Sequence, residues 1–269
     1  MDQVTENCIS LILSFTSPWD TCRASGVSTE FKSAADSDEL WNKFLPSDIT
    51  QILSRSVSPF NHTTKRHFYF LLCDSPVLLD HGKLSFSLDK RSGKKCLMVA
   101  ARQLSISWGD NPHYWIWSSD NSSRFSEVAI LKHVWWLDIR GKIKTGKLSP
   151  YTTYETYLVF KLYEDAYGLD SANATIRFVN EREDVPADEA STVYPDTRTA
   201  AYNIEQQNGE LSRRRKDEWM EIKTGEFETG ARDDDEVETR FMSIDGHMSK
   251  GGLIVQGIEF RPKQPMIVV

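Results

Sequence analysis

Cysteine is scarce in this sequence, and long apolar runs are absent. The four cysteines, at positions 8, 22, 73 and 96 of 269, lie far apart and form no C-x-x-C pair. This spacing predicts buried free thiols rather than a zinc site or a disulfide framework. No stretch approaches the roughly 20 apolar residues of a membrane span, and the first residues lack the basic and apolar stretches of a secretory signal. We therefore expect a soluble protein of the cytoplasm and nucleus without a membrane partner.

An excess of positive charge is also absent. The net charge is −7; residues 1–75 carry six basic against nine acidic residues, and the remainder carries 26 against 30. Nucleic-acid-binding proteins usually show a basic face or stripe, so we expect no nucleic-acid partner. One basic run, Arg213–Lys216, is followed at once by Asp217 and Glu218. It predicts a solvated loop or, alternatively, a nuclear-import signal.

The sequence contains no specific catalytic motif. It lacks a G-x-S-x-G elbow, a phosphate-binding glycine loop and an H-E-x-x-H helix, and its six histidines are scattered without metal-like spacing. The acidic run at 233–236 is typical of a solvated turn. We therefore predict that the protein is not an enzyme and needs neither a metal nor a cofactor.

Residues 1–47 have the pattern of several short helices. Thr5, the Ser17-Pro18 pair and Ser28 are placed to begin helices, and Asp36 with Glu39 resembles a capping box. Helices this short cannot bury all their apolar residues among themselves, so some of that surface must meet another element or a partner. Residues 48–83 are rich in turn formers and predict a linker that contains one helix, at about 64–73.

From about residue 84 the hydrophobic pattern alternates with a period of two. In the run 154–163, for example, alternate residues from Tyr154 to Leu162 share one face. Many such runs, separated by turns and without long helices between them, predict a β-sandwich over residues 84–269. Residues 184–218 are polar and unpatterned, which predicts a long surface loop.

Tryptophan is unusually frequent, with eight residues. We interpret four of those in the strand-rich half as core: Trp117, Trp135, Trp136 and Trp219. Trp108 and Trp115 instead flank the polar turn Gly109–Tyr114. Indoles stack on the C–H faces of sugars, whereas amides and carboxylates bind sugar hydroxyls, so this turn is a candidate carbohydrate site of apolar walls and a few polar groups. A purely structural turn is the alternative.

Two parts of the sequence resemble known families. The segment Val4–Asp20, with Leu40-Trp41 further on, resembles an F-box. The run from Leu97 to Pro262 is similar to the plant Nictaba-like (phloem protein 2-like) lectins, and the resemblance is carried by five segments: Ala101–Trp117, Trp136–Lys142, Tyr157–Leu162, Glu218–Phe227 and Gly257–Pro262. Together they imply an α+β protein, with a small all-α F-box domain (1–47), the linker (48–83) and an all-β, jelly-roll-like lectin sandwich (84–269).

The F-box resemblance implies docking onto a Skp1-like adaptor and, through it, a cullin-based ubiquitin ligase. The candidate adaptor-binding residues are Ile9, Ile12, Leu13, Phe15, Pro18 and Trp19. The usual Leu-Pro opening of an F-box is replaced here by Val4-Thr5. Proline at a helix start pre-sets the backbone, so its absence predicts weaker adaptor binding.

The lectin resemblance implies binding of N-acetylglucosamine-containing glycans or glycoproteins without a metal. Trp108 and Trp115 match the family's two sugar-site tryptophans, and Glu236 matches an acidic position. We add Asn111 and Tyr114 of the same turn to the candidate site. A second family acid falls on Ser243, so one hydrogen-bond acceptor is missing.

Three functions remain open from the sequence. In the first, the chain is a ubiquitin-ligase receptor that recognises glycoproteins and has no catalytic role of its own. In the second, it keeps the adaptor role, but the sandwich binds proteins rather than sugars. In the third, it is a free lectin with a vestigial F-box.

Overall fold

The structure is a computed structural model that describes residues 3–57, 64–179, 190–200, 209–230, 235–244 and 246–264. The chain divides into two compact units. The first comprises residues 1–81 and 85–96, and the second comprises 82–84 and 97–269. Helices dominate the first unit and strands the second, which confirms the predicted α+β class. Among the described helices, none has the length and apolar character that crossing a membrane requires.

Six helices make up most of the described part of the first unit. They are α1 (Gln3–Leu13), α2 (Pro18–Ala24), α3 (Thr29–Asp36), α4 (Asp38–Phe44), α5 (Ile49–Leu53) and α6 (Lys65–Asp74). Ser17 and Ser28 cap α2 and α3 as predicted, because each hydroxyl accepts a hydrogen bond from the backbone N–H three residues on. Thr64 caps α6 in the same way. The predicted starts at Thr5 and Asp36 are wrong, since α1 begins at Gln3 and α3 continues through Asp36.

The core of the first unit is formed where α1, α3 and α4 meet. Leu13, Ala34, Ala35 and Leu40 are buried there. Trp41 is fully buried, and its indole N–H donates to the backbone oxygen of Ala35 at 2.6 Å. A buried indole needs such an acceptor. One face of α1 is therefore committed to packing inside the unit.

The predicted linker 48–83 instead belongs, as far as residue 81, to the first unit; residues 58–63 lie outside the described residues. It contains two helices, α5 and α6, rather than one, and the short strand β1 (Val77–Leu79). Asp48 forms an ion pair with Lys95 at 2.7 Å, and Arg55 pairs with Asp80. The strand β2 (Leu84–Leu88) follows. The hydrophobic pattern of these residues did not predict this structure, because their contacts are with residues distant in sequence.

The second unit is a sandwich of two sheets. In one sheet the strands run in the order β3, β15, β8, β13, β12, and β5 and β6 are attached through β15. The other sheet has the order β11, β10, β9, β14, β7, β4. The bounds are β3 (Lys95–Ala100), β4 (Ser105–Ile106), β5 (Trp115–Ser118), β6 (Val128–Leu131), β7 (Leu137–Lys144), β8 (Thr153–Tyr167), β9 (Ala172–Phe178), β10 (Ser191–Tyr194), β11 (Glu210–Leu211), β12 (Arg213–Arg214), β13 (Met220–Glu228), β14 (Glu236–Ser243) and β15 (Gly251–Pro262).

The two sheets pack face to face at close range. At Gly141 of β7, a Cβ would lie only 2.7 Å from Cδ1 of Ile258 of β15. At the bulged Gly225 of β13, it would lie 2.6 Å from Cγ2 of Ile176 of β9. Both glycines are therefore required by the separation of the sheets, and the alternating residues that the sequence indicated fill the layer between them.

The segment predicted as one long loop, 184–218, contains structure. Where it is described, it includes β10, β11, β12 and a short helix, α7 (Thr197–Ala200). The basic run within it is not a free patch. Arg215 is only 11% exposed and pairs with Glu221 at 2.7 Å and with Glu259 at 2.6 Å. Neither a wholly solvated loop nor an accessible import signal fits a buried arginine.

The cysteines are free thiols, as predicted, but their burial differs from the prediction. Cys96 alone among them is buried; Cys22 and Cys73 are half-buried and Cys8 is exposed.

Candidate functional site

The most exposed part of the predicted carbohydrate site is Trp108, which follows β4. Its side chain is 59% exposed, and its backbone has φ +64°. A bulky residue with positive φ is a steric outlier that costs on the order of 1–3 kcal/mol and persists only where the surroundings enforce it. The protein thus keeps a large aromatic side chain in solvent at the expense of a strained backbone.

Asn111 organises the turn that follows Trp108. Its backbone N–H donates to the Trp108 oxygen at 2.9 Å, and its own backbone oxygen accepts from the N–H groups of Tyr114 and Trp115, each at 3.0 Å. Its side-chain oxygen accepts from the His113 N–H at 3.0 Å. This network leaves the amide NH₂ as the polar group of Asn111 that a ligand can use.

Two indole N–H groups fix the backbone on either side of Trp108. Trp115 donates to the Ser107 oxygen at 3.1 Å, and Trp117 donates to the Gly109 oxygen at 2.9 Å. These carbonyl groups belong to the residues on either side of Trp108, so the two bonds hold the backbone that flanks it. We call these two contacts the indole hydrogen bonds.

The ring of Trp117 is itself supported by an ion pair. The Arg102 guanidinium lies 3.8 Å from the ring centroid and binds the Glu127 carboxylate through Nε at 2.9 Å and Nη2 at 3.2 Å. Such a bidentate pair has one preferred geometry. It therefore fixes the position of the guanidinium that stacks on Trp117.

Trp115 is not available for direct contact with a sugar. Its side chain is 1% exposed, and its N–H is used by the Ser107 oxygen. The sequence predicted that Trp108 and Trp115 would both be walls of the carbohydrate site. In this structure only Trp108 reaches solvent, and Trp115 supports it from below.

Aromatic side chains continue from Trp108 across the neighbouring loop. The rings of Trp108 and Tyr114 are 5.9 Å apart between centroids, and those of Tyr114 and His133 are 5.6 Å apart. This row joins an exposed indole, a half-buried phenol and an exposed imidazole. It offers both apolar faces and hydrogen-bonding edges, which are the groups that binding a pyranose requires.

Trp135 and Trp136 were predicted to be core residues, and this prediction is wrong. They are 58% and 49% exposed. They form a bend between the bridge of Val134 to Lys250 and the start of β7 at Leu137. They therefore lie outside the strand, whose first residues are buried. The buried Lys250 amine donates to the Trp135 oxygen at 3.2 Å and supports the bend. Trp219 is buried as predicted, and Trp117 is half-buried.

Glu236 is not brought to the Trp108 turn. In the register of β14 with β7, Glu236 is opposite Lys144 and Ser243 is opposite Leu137. β4 pairs near the Leu137 end, with Ile106 opposite Ile139. The seven-residue separation along a strand puts Glu236 roughly 23 Å from Ser243. Of these two residues, Ser243 is the one nearer the turn. It stands where the second family acid is missing.

A buried carboxylate lies in the strand next to the turn. The backbone oxygen of Asp138 accepts from the Ser107 N–H at 2.9 Å. Its carboxylate is bound by Arg240 at 2.8 Å and by Arg140 at 2.9 Å. Burial alone would raise the pKa of Asp138, but the hydrogen bonds and charges of Arg240 and Arg140 outweigh it, so this pKa lies below the ordinary value. Both oxygens of this carboxylate are already bound by arginine, so Asp138 is not a candidate for binding sugar.

No metal centre accompanies these groups: within the described ranges, no cluster of three or more His, Cys, Asp or Glu side chains is placed to hold an ion.

A second exposed surface lies on the first unit, and we call it the α1–α2 patch. It consists of four large apolar side chains, with exposures of 51%, 63%, 83% and 46%: Leu11, Ile12, Phe15 and Trp19. Exposed apolar groups in a contiguous stretch typically mark an interaction site.

The predicted adaptor-binding residues divide between this patch and the core. Ile12, Phe15 and Trp19 are exposed, whereas Leu13 and Pro18 are buried and Ile9 is half-buried. Leu11 was not predicted, although its four-residue spacing from Phe15 places it on the same side of the chain.

Two models of known protein families match this chain. The Phloem protein 2 model matches residues 94–262, and the F-box domain model matches residues 2–43. The chain belongs to the phloem protein 2 family. In this phloem protein 2 chain an F-box precedes the family domain, as the sequence resemblance implied.

Relatives with the same arrangement occur in Arabidopsis thaliana. A relative named Putative F-box protein PP2-B12 is 43% identical over 260 residues, covering 96% of this chain and 96% of its own length. Another, F-box protein PP2-B15, is 40% identical over 277 residues with the same coverage of both chains. Among solved structures, a family 35 carbohydrate binding module from Clostridium thermocellum covers 61% of this chain and 96% of its own at 12% identity. Its TM-score of 0.31 is too low to define a common fold.

Proposed function

We propose that this phloem protein 2 chain is a substrate-receptor subunit of a Skp1–cullin–F-box ubiquitin ligase. The observation that carries the proposal is the α1–α2 patch. Its four apolar side chains are exposed even though the helices below them have a complete core of their own. Exposing such side chains in water is unfavourable unless a partner covers them. A Skp1-like adaptor is the partner that an F-box implies.

The second half of the proposal is that the sandwich binds N-acetylglucosamine-containing glycans or glycoproteins. It is supported by the strained, exposed Trp108, by the row of rings through Tyr114 and His133, and by the free amide edge of Asn111. Of the predicted sugar-binding residues, Trp108, Asn111 and Tyr114 keep a direct role. Trp115 acts through the position of Trp108, and Glu236 has none at this turn.

In this proposal the chain contributes proximity rather than chemistry. One surface binds the ligase and the other binds the substrate, so that ubiquitin transfer by other subunits becomes effectively intramolecular. The chain itself needs no metal or cofactor, and it acts in the cytoplasm and nucleus.

A second candidate function is supported by Trp135 and Trp136. Two adjacent indoles that are 58% and 49% exposed resemble the anchors of protein interfaces, where tryptophan is enriched. The loss of an acid at Ser243 weakens the case for sugar. In this alternative, the adaptor role is kept and the sandwich binds a protein surface.

Both halves are tested with single substitutions in the full-length chain. Ile12→Asp puts a charge into the α1–α2 patch, and we expect it to abolish co-purification with a Skp1-like adaptor. Val27→Asp is its control, because Val27 is 70% exposed in the same unit and outside the patch. Adaptor binding that is unchanged in Ile12→Asp would contradict the receptor role.

Glycan binding is tested on an array with Trp108→Ala. We expect wild-type binding to be lost in this variant and retained in Tyr151→Ala. Tyr151 is a matched control because it is 73% exposed and also has positive φ, at 48°. A silent array for the wild type, together with normal adaptor binding, would favour the protein-binding alternative.

A further inference from the structure

The turn between β2 and β3, Asp89–Lys94, lies far along the chain from the F-box match at 2–43 but belongs to the first compact unit. The buried Tyr69 hydroxyl of α6 donates to the Asp89 backbone oxygen at 3.1 Å. Lys90 forms an ion pair with Asp74 at the end of α6, at 3.0 Å. The turn is therefore held against the helices by contacts on its own backbone and side chains.

The internal geometry of this turn is well defined. The Asp89 carboxylate accepts from the Ser92 N–H at 2.8 Å and from its hydroxyl at 2.6 Å. The Gly93 N–H donates to the Asp89 backbone oxygen at 2.8 Å. The backbone at Arg91, which lies within this turn, is therefore held in place by these bonds.

The turn also touches the two helices next to the α1–α2 patch. Gly93 has φ +72°, and a Cβ there would lie 3.1 Å from the Phe44 backbone oxygen and 3.5 Å from Cγ of Pro18. Glycine is thus required both by the backbone conformation and by the close approach to α2 and α4.

Arg91 is in direct contact with the patch. Its backbone oxygen accepts a hydrogen bond from the backbone N–H of Trp19 at 3.4 Å, and its guanidinium lies 5.3 Å from the centroid of the Trp19 ring. A guanidinium over an indole is an attractive cation–π arrangement, and the Trp19 side chain is still 46% exposed. In the part of the chain that the structure describes, no carboxylate lies within ion-pair distance of Arg91.

A second cation lies next to the patch. The exposed Lys43 amine lies 3.4 Å from the Ser14 hydroxyl, next to Phe15, and it too has no carboxylate within ion-pair distance among the described residues. Arg23, by contrast, is paired with Asp20 at 3.9 Å. The patch is thus apolar at its centre with two uncompensated positive charges at its rim, in a chain of net charge −7.

We propose that the Asp89–Lys94 turn completes the adaptor-docking surface and that Arg91 binds a carboxylate of the adaptor. The partner that fits has an apolar groove for Leu11, Ile12, Phe15 and Trp19, with acidic side chains at the edges that face Arg91 and Lys43. This inference rests on the proposed adaptor role. It extends the docking surface beyond the F-box itself to a turn more than 40 residues downstream of it.

The test measures the dissociation constant of the full-length chain for a purified Skp1-like adaptor at low and at physiological salt. Arg91→Glu reverses the charge, and Arg91→Met keeps a long side chain on the indole without charge. We expect Arg91→Glu to weaken binding by more than about tenfold at low salt and Arg91→Met by less, with both differences shrinking as salt screens the rim. Lys32→Glu, an exposed charge reversal on α3, is the control and should change binding less than about twofold.

The outcomes separate this inference from the proposal beneath it. If Ile12→Asp abolishes binding while Arg91→Glu binds as tightly as the wild type, the turn is not part of the surface, but the adaptor role stands. If the wild type itself does not bind the adaptor, both fail. If Arg91→Met and Arg91→Glu weaken binding equally and without salt dependence, Arg91 acts through packing on Trp19 and the carboxylate contact is overturned.

Discussion

The α1–α2 patch and the Trp108 turn both hold large apolar side chains in solvent, but they do so by different physical means. In the patch, exposure follows from helix geometry: Ile12 is 63% exposed and its neighbour Leu13 is 4% exposed, and neither has a positive φ. At the turn, exposure depends on a positive φ at Trp108 that two buried or half-buried indoles enforce. A helix exposes one face without further help, whereas a loop needs supporting contacts to keep an aromatic side chain outside.

The largest effect that tests this contrast is expected within the turn. Trp115→Ala removes a fully buried indole, and we expect a loss of about 3–5 kcal/mol in the free energy of unfolding. Trp108→Ala removes an exposed side chain and should change it by less than about 1 kcal/mol. Urea unfolding of the two variants measures the difference. Similar losses in both would mean that Trp108 is part of the packed structure and not a ligand contact.

The same comparison within α1 should give a somewhat smaller effect. Leu13→Ala is expected to cost about 2–5 kcal/mol of unfolding free energy, because Leu13 packs against Ala34, Ala35 and Leu40. Ile12→Ala, one residue away, should stay within about 0.5 kcal/mol. Thermal or urea unfolding of the full-length chain measures both. A costly Ile12→Ala would show that Ile12 is covered within the unit and is not available to an adaptor.

A smaller effect is expected from the indole hydrogen bonds alone. Trp117→Phe keeps a ring beneath Arg102 but removes the donor to the Gly109 oxygen, a loss of about 1 kcal/mol. Because the conformation of Trp108 would then be less populated, glycan affinity should fall several-fold. Trp135→Phe is the matched control, since the Trp135 indole N–H has no acceptor among the described residues. Equal glycan affinity in both variants would remove Trp117 from the support of the site.

Local features of both regions were predictable from the sequence, because they depend on neighbours in the chain. Ser17 and Ser28 cap helices through bonds to residues three positions on, and the alternating runs became the two sheets. The outcome for Trp108 and Trp115 was not predictable. Both flank the same polar turn, and only the φ of Trp108 and the contact of Trp115 with the Ser107 oxygen make one exposed and the other buried.

Other errors had the same origin in contacts between distant residues. Trp135 and Trp136 were interpreted as core, but β7 begins only at Leu137, after the bridge of Val134 to Lys250 and the bend that holds both tryptophans. Glu236 and Ser243 were assigned to one site from sequence similarity, whereas the register of β14 with β7 separates them by the length of the strand. The docking of the Asp89–Lys94 turn against α6 through Tyr69 leaves no pattern in either segment.

The smallest expected effect is a difference between the two units in how their stability changes with acid, because buried ion pairs are concentrated in the second unit. Glu259 is 4% exposed and is bound by Arg215 at 2.6 Å and by Arg124 at 3.0 Å. Burial alone would raise the pKa of Glu259, but the charges of Arg215, Arg124 and Arg261 outweigh it, and the pKa lies below its ordinary value. The pKa of Glu221 is lowered in the same way, with Arg261 as the main cause that opposes burial.

A carboxylate whose pKa is lower in the folded than in the unfolded chain stabilises the fold at pH values above its unfolded pKa, about 4.3 for glutamate. That stabilisation is lost as the pH falls below this value through the folded pKa, by up to about 1.4 kcal/mol per pH unit for each group. We therefore expect the unfolding free energy of the second unit to be nearly constant from pH 7 to 5 and to fall below about pH 4. Hydrogen exchange, corrected for its intrinsic pH dependence, follows the two units separately. Glu259→Gln should flatten this acid response, whereas Glu228→Gln, at an exposed position of β13 in the same unit, should not. An unchanged slope in Glu259→Gln would show that the acid response arises from other carboxylates, because the ion pairs of Glu259 would then add nothing to the fold that acid can remove.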